Sequence, residues 1–271
     1  METKLMILTD LHLCHIDWYG TAAAERLEQM VRQVQAYHAY RPFDGILMLG
    51  DYSLDFWAWS IGGSYLASNP VSNTDAFLRQ YAARLPHRPF LLPGNHEQYG
   101  EARWRSIAHQ PRQYAIVKGG YRILMLDTFG GELDPTVHSD GSYTGPSAEY
   151  LRYQLSLDEK PVILCGHHFD PALDSTSVRR LIKEEKRIKA LFSGHVHHSR
   201  IEDYEGKPHL RCGHYSYASG DIRACMPGFR MLTLSETAIE SRYVMPENTL
   251  ITEAGPYHAS AAEQDAIVIP L

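Results

Sequence analysis

Five short apolar segments of the chain each run directly into a cluster of Asp, Asn and His residues. The apolar segments are Leu5–Leu8, Phe43–Leu49, Pro89–Leu92, Pro161–Cys165 and Ile188–Phe192. The clusters that follow them, in the same order, are Asp10-Leu11-His12, Gly50-Asp51, Gly94-Asn95-His96-Glu97, Gly166-His167-His168 and Gly194-His195-Val196-His197. Continuous apolar runs are typical of strands that helices cover on both faces. Sites in α/β sheets form where the carboxyl ends of such strands converge, so the pattern predicts an α/β fold with one polar site.

The segments between these runs have the periodicity of amphipathic helices. Helices are predicted over residues 21–38, 73–85, 101–108, 147–157 and 175–188. Residues 113–118 and 121–127 are predicted to form a hairpin around Gly119-Gly120, a pair that suits a tight turn between antiparallel strands. Further strands are predicted at 199–204, 208–213, 229–234 and 238–244. We therefore assign residues 1–245 to one domain and residues 246–271 to a C-terminal tail, packed on the domain or at an interface.

The bulk composition limits the classes of partner. A formal net charge of −6 argues against a long nucleic acid as the main ligand, since proteins of that class present an excess of Lys and Arg. No apolar run reaches the roughly 18 residues of a membrane helix, and the first residues lack a secretory pattern. The four cysteines are scattered without C-x-x-C pairing, which favours free thiols in a reducing compartment. We therefore expect a cytoplasmic protein without a membrane partner.

Two stretches of the chain have alternative interpretations. Imidazole nitrogen binds Zn, Mn and Fe well, so the turn Gly194-His195-Val196-His197 is a candidate metal clamp. With 15 histidines in the chain a chance His-x-His is expected, and a polar loop is the alternative. Residues 52–73 concentrate aromatic side chains, Trp57 among them, between glycines and prolines. That stretch could form a lid that stacks on a flat substrate group, an aromatic plug on the core, or a contact between subunits.

The ordered set of clusters resembles that of the calcineurin-like metallophosphoesterases. Their pattern of D-x-H, G-D, G-N-H-D/E, a histidine after a strand and G-H-x-H is matched in order between residues 10 and 197. The resemblance implies a four-layer α/β/β/α sandwich in which helices flank two mixed sheets. It also implies two divalent or trivalent transition-metal ions, Mn, Fe or Zn, as cofactors. The implied ligands are Asp10, His12 and His197 for one ion, Asn95, His167 and His195 for the other, and Asp51 between both.

Residues beside these ligands receive roles from the same resemblance. His96 has no place among the implied ligands, so we expect it to donate a proton to the leaving oxygen or to stabilise phosphoryl charge. His167 is preferred to its neighbour as a ligand because it follows the strand directly. The candidates for supporting the ligands or contacting the substrate are His168, Glu97, Asp55 and Trp57.

The resemblance implies hydrolysis of a small phosphate ester by a metal-activated hydroxide. Leu54 stands where purple acid phosphatases have a tyrosine, and the sequence after Gly50-Asp51 lacks the Arg-Gly of Ser/Thr protein phosphatases. The chain looks closest to bacterial phosphodiesterases that include cyclic-nucleotide enzymes, so we expect a phosphodiester as substrate. The alternatives are a phosphomonoesterase acting on small molecules or proteins and a non-catalytic binding module on the same fold. The acidic net charge counts against a nuclease.

Overall fold

The structure is a computed structural model that describes residues 2–14, 22–56, 72–133, 141–216, 226–252 and 255–271. Its strands are β1 Thr3–Leu8, β2 Gly45–Met48, β3 Phe90–Leu91, β4 Tyr114–Lys118, β5 Tyr121–Leu126, β6 Val162–Gly166, β7 Ile188–Ser193, β8 Ser199–Tyr204, β9 Lys207–Cys212, β10 Phe229–Leu234, β11 Ala238–Met245, β12 Asn248–Thr252, β13 Gly255–Ala259 and β14 Ala262–Pro270. Its α-helices are α1 Ala23–Tyr40, α2 Asn73–Gln80, α3 Gly100–Ala108, α4 Ala148–Leu155 and α5 Thr176–Glu184, and a short 3-10 helix covers Ala82–Arg84.

The strands form two mixed six-stranded sheets and one separate hairpin. The first sheet has the order β14-β11-β10-β1-β2-β3; β1, β2 and β3 are parallel, and β10, β11 and β14 are antiparallel to their neighbours. The second has the order β4-β5-β6-β7-β9-β8, with parallel pairs from β5 to β9 and antiparallel pairs at both edges. β12 and β13 form the hairpin. The carboxyl ends of the parallel strands in each sheet therefore lie at the same end of that sheet.

The central strands are apolar on both faces because each face meets a core. In β1, Leu5 and Ile7 enter the core between the two sheets, whereas Met6 and Leu8 face the helices. Successive side chains of a strand point to opposite faces, so a strand between two cores needs a continuous apolar run. Helices α1, α2 and α3 pack on the first sheet, and α4 and α5 pack on the second. The predicted four-layer α/β/β/α sandwich with two mixed sheets is confirmed.

The helix predicted over residues 175–188 is too long. α5 begins after Ser175, whose hydroxyl accepts a hydrogen bond from Val178 N, and it ends at Glu184. Ile188 already belongs to β7 and pairs with β6, so the chain must leave helical geometry before it. The residues in between, 185–187, are all charged and suit a helix or a turn equally. The sequence pattern therefore predicted the end of α5 too far along the chain.

The C-terminal segment supplies one edge of the first sheet. β14 pairs antiparallel with β11, and Ile269 lies opposite Ile239. Arg230 of β10 is fully buried and donates a hydrogen bond to the backbone oxygen of Asp265 in β14 over 3.1 Å. The predicted domain boundary at residue 245 thus falls between two paired strands of one sheet. The apolar part of β14 is only Ile267-Val268-Ile269, too short a signal to stand out in the sequence.

The described helices and cysteines can be compared with what the sequence suggested. No described helix combines the length and the hydropathy that a bilayer crossing requires. Cys14, Cys165 and Cys212 are free thiols, in keeping with their scattered positions. The cytoplasmic location stays a prediction.

Ile269 and Val268 are adjacent in β14 but differ in burial, with 6% and 64% of their surface exposed. We expect Ile269→Ala to lower the free energy of unfolding by about 2–5 kcal/mol, because it empties a place in the core between the sheets. Val268→Ala is the matched control and should change it by no more than about 0.5 kcal/mol. Urea denaturation of both variants measures the difference. Equal and small effects would mean that β14 adds nothing to the core.

Candidate metal centre

The polar clusters converge where the parallel strands of both sheets end. Asp10 and His12 follow β1, Asp51 follows β2, Asn95 and His96 follow β3, His167 follows β6, and His195 and His197 follow β7. Backbone hydrogen bonds join neighbouring clusters, with Leu11 N donating to Asp51 O over 2.8 Å. His195 N donates to both carboxylate oxygens of Asp10 over 3.1 and 3.0 Å. That contact connects a loop of the second sheet to a loop of the first.

Among the residues that the structure describes, three groups of side-chain donors are compact enough to hold a metal ion. Within each group, one donor atom from every residue lies within 4.8 Å of the others. The groups are Asp10, His12 and His197; His12, Asp51 and His96; and Asp51, His167 and His195. Because the groups share His12 and Asp51, the donors form one continuous cluster, which we call the donor cluster together with Asn95.

Asp51 lies at the centre of the donor cluster. Its Oδ2 is 3.2 Å from His12 Nε2, 3.0 Å from His167 Nε2 and 3.8 Å from His96 Nε2. Its Oδ1 accepts a hydrogen bond from His96 N over 3.2 Å. One carboxylate is thus in contact with imidazoles from both sheets, which is the arrangement that a ligand shared by two ions needs.

Asn95 and Asp10 contact the remaining histidines. Asn95 Oδ1 is 2.9 Å from His167 Nε2 and 3.0 Å from His195 Nδ1. Asp10 Oδ1 is 3.2 Å from His197 Nε2, and Thr9 Oγ1 donates to the other carboxylate oxygen over 2.7 Å. All the residues implied as ligands by the resemblance therefore lie together, and their coordination of metal stays a prediction.

Two of the histidines are oriented by a contact at the nitrogen that does not face Asp51. His167 Nδ1 is 2.7 Å from Leu49 O. Since a carbonyl oxygen only accepts, that nitrogen carries a proton and Nε2 is the one available to a metal. His12 Nδ1 is 2.7 Å from Ser216 Oγ. Contacts of this kind fix the orientation of metal-binding histidines. Ser216 belongs to no motif, so nothing in the sequence could have identified it.

Most of the candidate ligands have a backbone conformation that residues other than glycine avoid. Eight described residues of this kind have a positive φ. Five of the eight are in the donor cluster, with φ from 50° to 70°: Asp10, His12, Asp51, His195 and His197. Each such residue costs on the order of 1–3 kcal/mol and persists only where its surroundings hold it. The tight turns at the strand ends thus lower the stability of the fold, and in return they direct closely spaced side chains toward one point.

The glycines that flank the ligands are required by close approach between loops. A Cβ on Gly94 would lie 2.1 Å from Asp51 Oδ1. A Cβ on Gly194 would lie 2.0 Å from Thr9 Oγ1 and 2.4 Å from Asp10 Oδ2. Any side chain at these positions would displace a carboxylate of the donor cluster. Glycine therefore recurs in the motifs because a second loop packs directly against a ligand carboxylate.

Burial and neighbouring charges set the protonation of the donor cluster. Burial lowers the pKa of His12 and of His195 to about 4, so both are neutral at pH 7 and keep a lone pair for a metal. Burial also lowers the pKa of His167, but the charge and hydrogen bond of Asp51 outweigh it and raise the pKa to about 9. For Asp51, burial raises the pKa, and His167 and His96 together hold it well below its usual value. A metal ion must displace the His167 proton, so metal affinity should rise with pH.

His96 lies inside the donor cluster. Its side chain is 9% exposed, and its ring is edge-on to that of His12 with the centroids 5.3 Å apart. Because its Nε2 belongs to a donor group with His12 and Asp51, coordination of a metal competes with the role in proton transfer that the sequence suggests. That role stays a prediction.

Glu97 connects the loops that follow β2 and β3. Its side chain is fully buried, and its Oε2 accepts hydrogen bonds from Asp51 N over 2.8 Å and Gly94 N over 2.9 Å. Its Oε1 accepts from Tyr52 N over 3.0 Å. Burial and the charge of Asp51 raise the pKa of Glu97 to about 8, against the lowering effect of the N–H groups of Gly94 and Asp51. The side chain therefore holds the backbone of Asp51 from behind.

Asp55 and His168 lie outside the three donor groups. The Asp55 carboxylate accepts hydrogen bonds from Asn73 N over 3.0 Å and Tyr99 Oη over 2.6 Å, so it anchors the start of α2. The ring of His168 is 4.5 Å from that of His195 between centroids, and burial lowers its pKa to about 3. Trp57 and the rest of 57–71, where the aromatic stretch was expected to form a lid, lie outside the described residues.

Two rings that the sequence patterns did not identify pack against the candidate ligands. Phe129 is buried, and its ring lies 5.6 Å from that of His167 and 5.5 Å from that of His195. The ring of His214 stacks on that of His197 at 5.4 Å. Both belong to loops without periodicity, where only an isolated aromatic residue marks the position.

A comparison with protein families identifies the chain. The sequence profile of the calcineurin-like phosphoesterases matches residues 3–199, well over half of the chain. The chain belongs to the calcineurin-like phosphoesterases. Membership supports a metal-dependent phosphoester hydrolase. A search of curated proteins gives no significant match.

Solved structures with similar folds come from several kinds of protein. GAP50, the anchor in the inner membrane complex of Plasmodium, has a TM-score of 0.59 and 13% identity over 96% of this chain and 89% of its own. Purple acid phosphatase PPD1 from yellow lupin (Lupinus luteus) seeds has a TM-score of 0.51 and 14% identity over 98% of this chain and 54% of its own. A putative 5′-nucleotidase from Staphylococcus aureus has a TM-score of 0.51 and 12% identity over 100% of this chain and 54% of its own. At these identities the likeness establishes the fold alone.

The donor cluster of this family member fits transition-metal ions. It combines imidazole nitrogen with carboxylate and amide oxygen, a mixture that Zn, Mn and Fe accept. Asp10 and Asp51 are 0% and 2% exposed. Buried carboxylates of this kind need a cationic partner. His167, with its raised pKa, can fill that role beside Asp51, and a metal ion that displaces the His167 proton would take its place.

Tyr52 cannot replace the tyrosine that purple acid phosphatases have at the position of Leu54. Its ring is fully buried, and the single proton of its hydroxyl is shared between Met48 O at 3.0 Å and Leu92 O at 2.7 Å. We therefore expect the iron-loaded protein to lack the visible charge-transfer band of a tyrosinate bound to ferric iron. Absorption spectra of iron-reconstituted wild type and Tyr52→Phe test this. A band that disappears in Tyr52→Phe would contradict the expectation.

Proposed function

We propose that the chain hydrolyses small phosphodiesters, cyclic nucleotides among them, with two ions of Mn, Fe or Zn held by the donor cluster. The observation that carries the proposal is the contact of Asp51 Oδ2 with both His12 Nε2, at 3.2 Å, and His167 Nε2, at 3.0 Å. A carboxylate between imidazoles of two sheets is suited to a place between two ions. The further ligands would be Asp10, His12 and His197 for one ion and Asn95, His167 and His195 for the other.

Two ions held by these residues would supply an acidified water and neutralise charge on the phosphate. The side chains of the protein would position the ligands and take part in proton transfer. Asn95 is neutral, so it adds no negative charge where the phosphate enters. Glu97 keeps the Asp51 backbone in position through its contact with Asp51 N at 2.8 Å. His96 is placed in this proposal to donate a proton to the leaving oxygen or to stabilise phosphoryl charge, which typically contributes about 10²–10⁴-fold.

A binding role without catalysis is the second candidate. The observation that favours it is the likeness to GAP50, the anchor in the inner membrane complex of Plasmodium. A protein with this fold is thus described by its role as an anchor, and a fold does not by itself imply catalysis. The likeness extends to the fold alone, whereas this chain retains every side chain of the motif set. We therefore favour catalysis.

The first prediction concerns metal content. We expect metal-reconstituted protein to approach two ions per chain, because Asp51 offers a shared ligand between two donor sets. Chelation should lower Tm, since an ion that binds only the folded state stabilises it by about 4 kcal/mol at 1,000 times its Kd. Elemental analysis and thermal unfolding measure both. A ceiling of one ion that Asp51→Asn leaves unchanged would contradict the centre of two ions.

The second prediction concerns the substrate. We expect bis-aryl phosphodiesters to be cleaved faster than aryl monoesters, in keeping with the sequence resemblance to phosphodiesterases. A panel of aryl esters, cyclic nucleotides and nucleotide diesters, assayed with Mn²⁺, Zn²⁺ and Fe²⁺, measures the preference. A monoester preference at every pH and with every metal would favour a phosphomonoesterase. Absence of any turnover in metal-loaded protein would favour the binding role.

The third prediction separates His96 from the ligands. We expect His96→Ala to keep its metal and most of its thermal stability while kcat falls by about 10²–10⁴-fold. The loss should shrink for substrates with very acidic leaving groups, because these need little protonation. Asn95→Ala is the control in the same loop and should weaken one metal. Metal loss in His96→Ala would instead make His96 a ligand, and an unchanged kcat would remove it from the mechanism.

A further inference from the structure

His168 lies beside the donor cluster without belonging to it. It follows His167 in the chain, and its half-buried ring is 4.5 Å from the ring of His195 and 5.2 Å from that of Tyr143, measured between centroids. Its backbone N–H donates to Thr128 Oγ1 over 3.3 Å, which fixes the base of the side chain. The mechanism proposed above gives this histidine no task.

Arg211 determines which nitrogen of His168 carries the proton. Arg211 Nη1 is 3.2 Å from His168 Nδ1. A guanidinium group only donates hydrogen bonds, so Nδ1 must accept, and the single proton of the neutral imidazole is then on Nε2. His168 is therefore a hydrogen-bond donor at the nitrogen that Arg211 does not occupy.

The side chain of Arg211 is itself held firmly. It is 8% exposed, and its Nε donates to Glu202 Oε2 over 2.8 Å. Its two terminal nitrogens also donate to Ser193 Oγ over 3.1 Å and to Phe169 O over 3.3 Å. These acceptors come from three separate parts of the second sheet and its loops. A guanidinium fixed at so many points is a rigid support for the imidazole in front of it.

We propose that His168 is a substrate-binding residue that donates its Nε2–H to a non-bridging oxygen of the phosphate, and that Arg211 is the positioning residue that fixes this tautomer. The proposal rests on the proposed phosphoesterase function. The contact with Arg211 leaves Nδ1 as an acceptor, and the proton on Nε2 is the one that the proposal uses. A cation behind Nδ1 polarises the ring, and hydrogen bonds to a charged acceptor are about twice as strong as neutral ones. The charge of Arg211 thereby strengthens the hydrogen bond from His168 to the phosphate, although Arg211 itself does not contact the substrate.

The tautomer can be measured without any turnover. Long-range ¹H–¹⁵N spectra of zinc-loaded protein with ¹⁵N-labelled histidine distinguish a protonated ring nitrogen from an unprotonated one. The His168 signals are those that vanish in His168→Gln. We expect an unprotonated Nδ1 and a protonated Nε2, and a mixture of tautomers in Arg211→Met. If Arg211→Met fails to fold, Glu202→Gln loosens the same support and should move the signals in the same direction. A proton on Nδ1 in the wild type would overturn the proposal.

Two substitutions of His168 test the donor itself. Glutamine places an amide N–H near the position of Nε2, whereas asparagine places its amide near Nδ1. We expect His168→Asn to weaken binding of inorganic phosphate to the zinc-loaded protein by about 10- to 100-fold and to raise KM more than it lowers kcat. His168→Gln should keep most of the affinity. His198→Asn, at an exposed neighbour of the donor cluster, is the control and should leave binding unchanged. Equal losses in the Asn and Gln variants would reject the donor role.

The failure of this proposal differs from failure of the proposed function. If the metal-loaded wild type hydrolyses no phosphate ester, the proposed function fails, while phosphate binding and the tautomer still report on His168. If it hydrolyses diesters and His168→Asn binds phosphate like the wild type, the proposed function survives and the role of His168 is wrong.

Discussion

The carboxylate of Asp51 is the point on which the two halves of the molecule converge. Its Oδ2 contacts an imidazole from the loop after β1 and another from the loop after β6, at 3.2 and 3.0 Å. Taking such a charge out of water costs several kcal/mol unless partners surround it. The surroundings reflect that cost: Glu97 holds the Asp51 backbone, and glycine at position 94 lets the next loop approach its side chain. The turns with positive φ, the glycine next to the ligand and the buried histidines all serve to stabilise this buried charge.

The candidate site could be predicted from the sequence because each of its motifs is a short, continuous segment. Each candidate ligand follows an apolar run within a few residues, and a strand between two cores must be apolar throughout, so the strand ends could be located without the structure. The order of the motifs then identified the family. The sequence could not provide the positive φ values, which depend on how the loops support one another. It also could not provide Ser216 or Arg211, because their contacts join positions far apart in the chain.

The elements that sequence patterns placed least well are those that depend on a distant partner. The end of α5 is set by the pairing of β7 with β6, whereas its own charged residues suit a longer helix. β14 is recognisable as a strand only through β11, since its apolar part spans three residues. The helices α1 and α4, by contrast, carry their own periodic apolar faces. Local signals predicted the interior of the fold and long-range pairing determined its edges.

The pairing of β1 with β10 has a consequence for how the protein is made. Thr3 lies opposite Leu234, so β1 waits for one of its two neighbours until β10, far later in the chain, has been synthesised. At about 5–20 residues per second this interval lasts on the order of tens of seconds. During this interval the carboxylate of Asp10 lacks the contacts that His195 and His197 later supply. The donor cluster is therefore complete only after the turn that carries His195 and His197 has been synthesised.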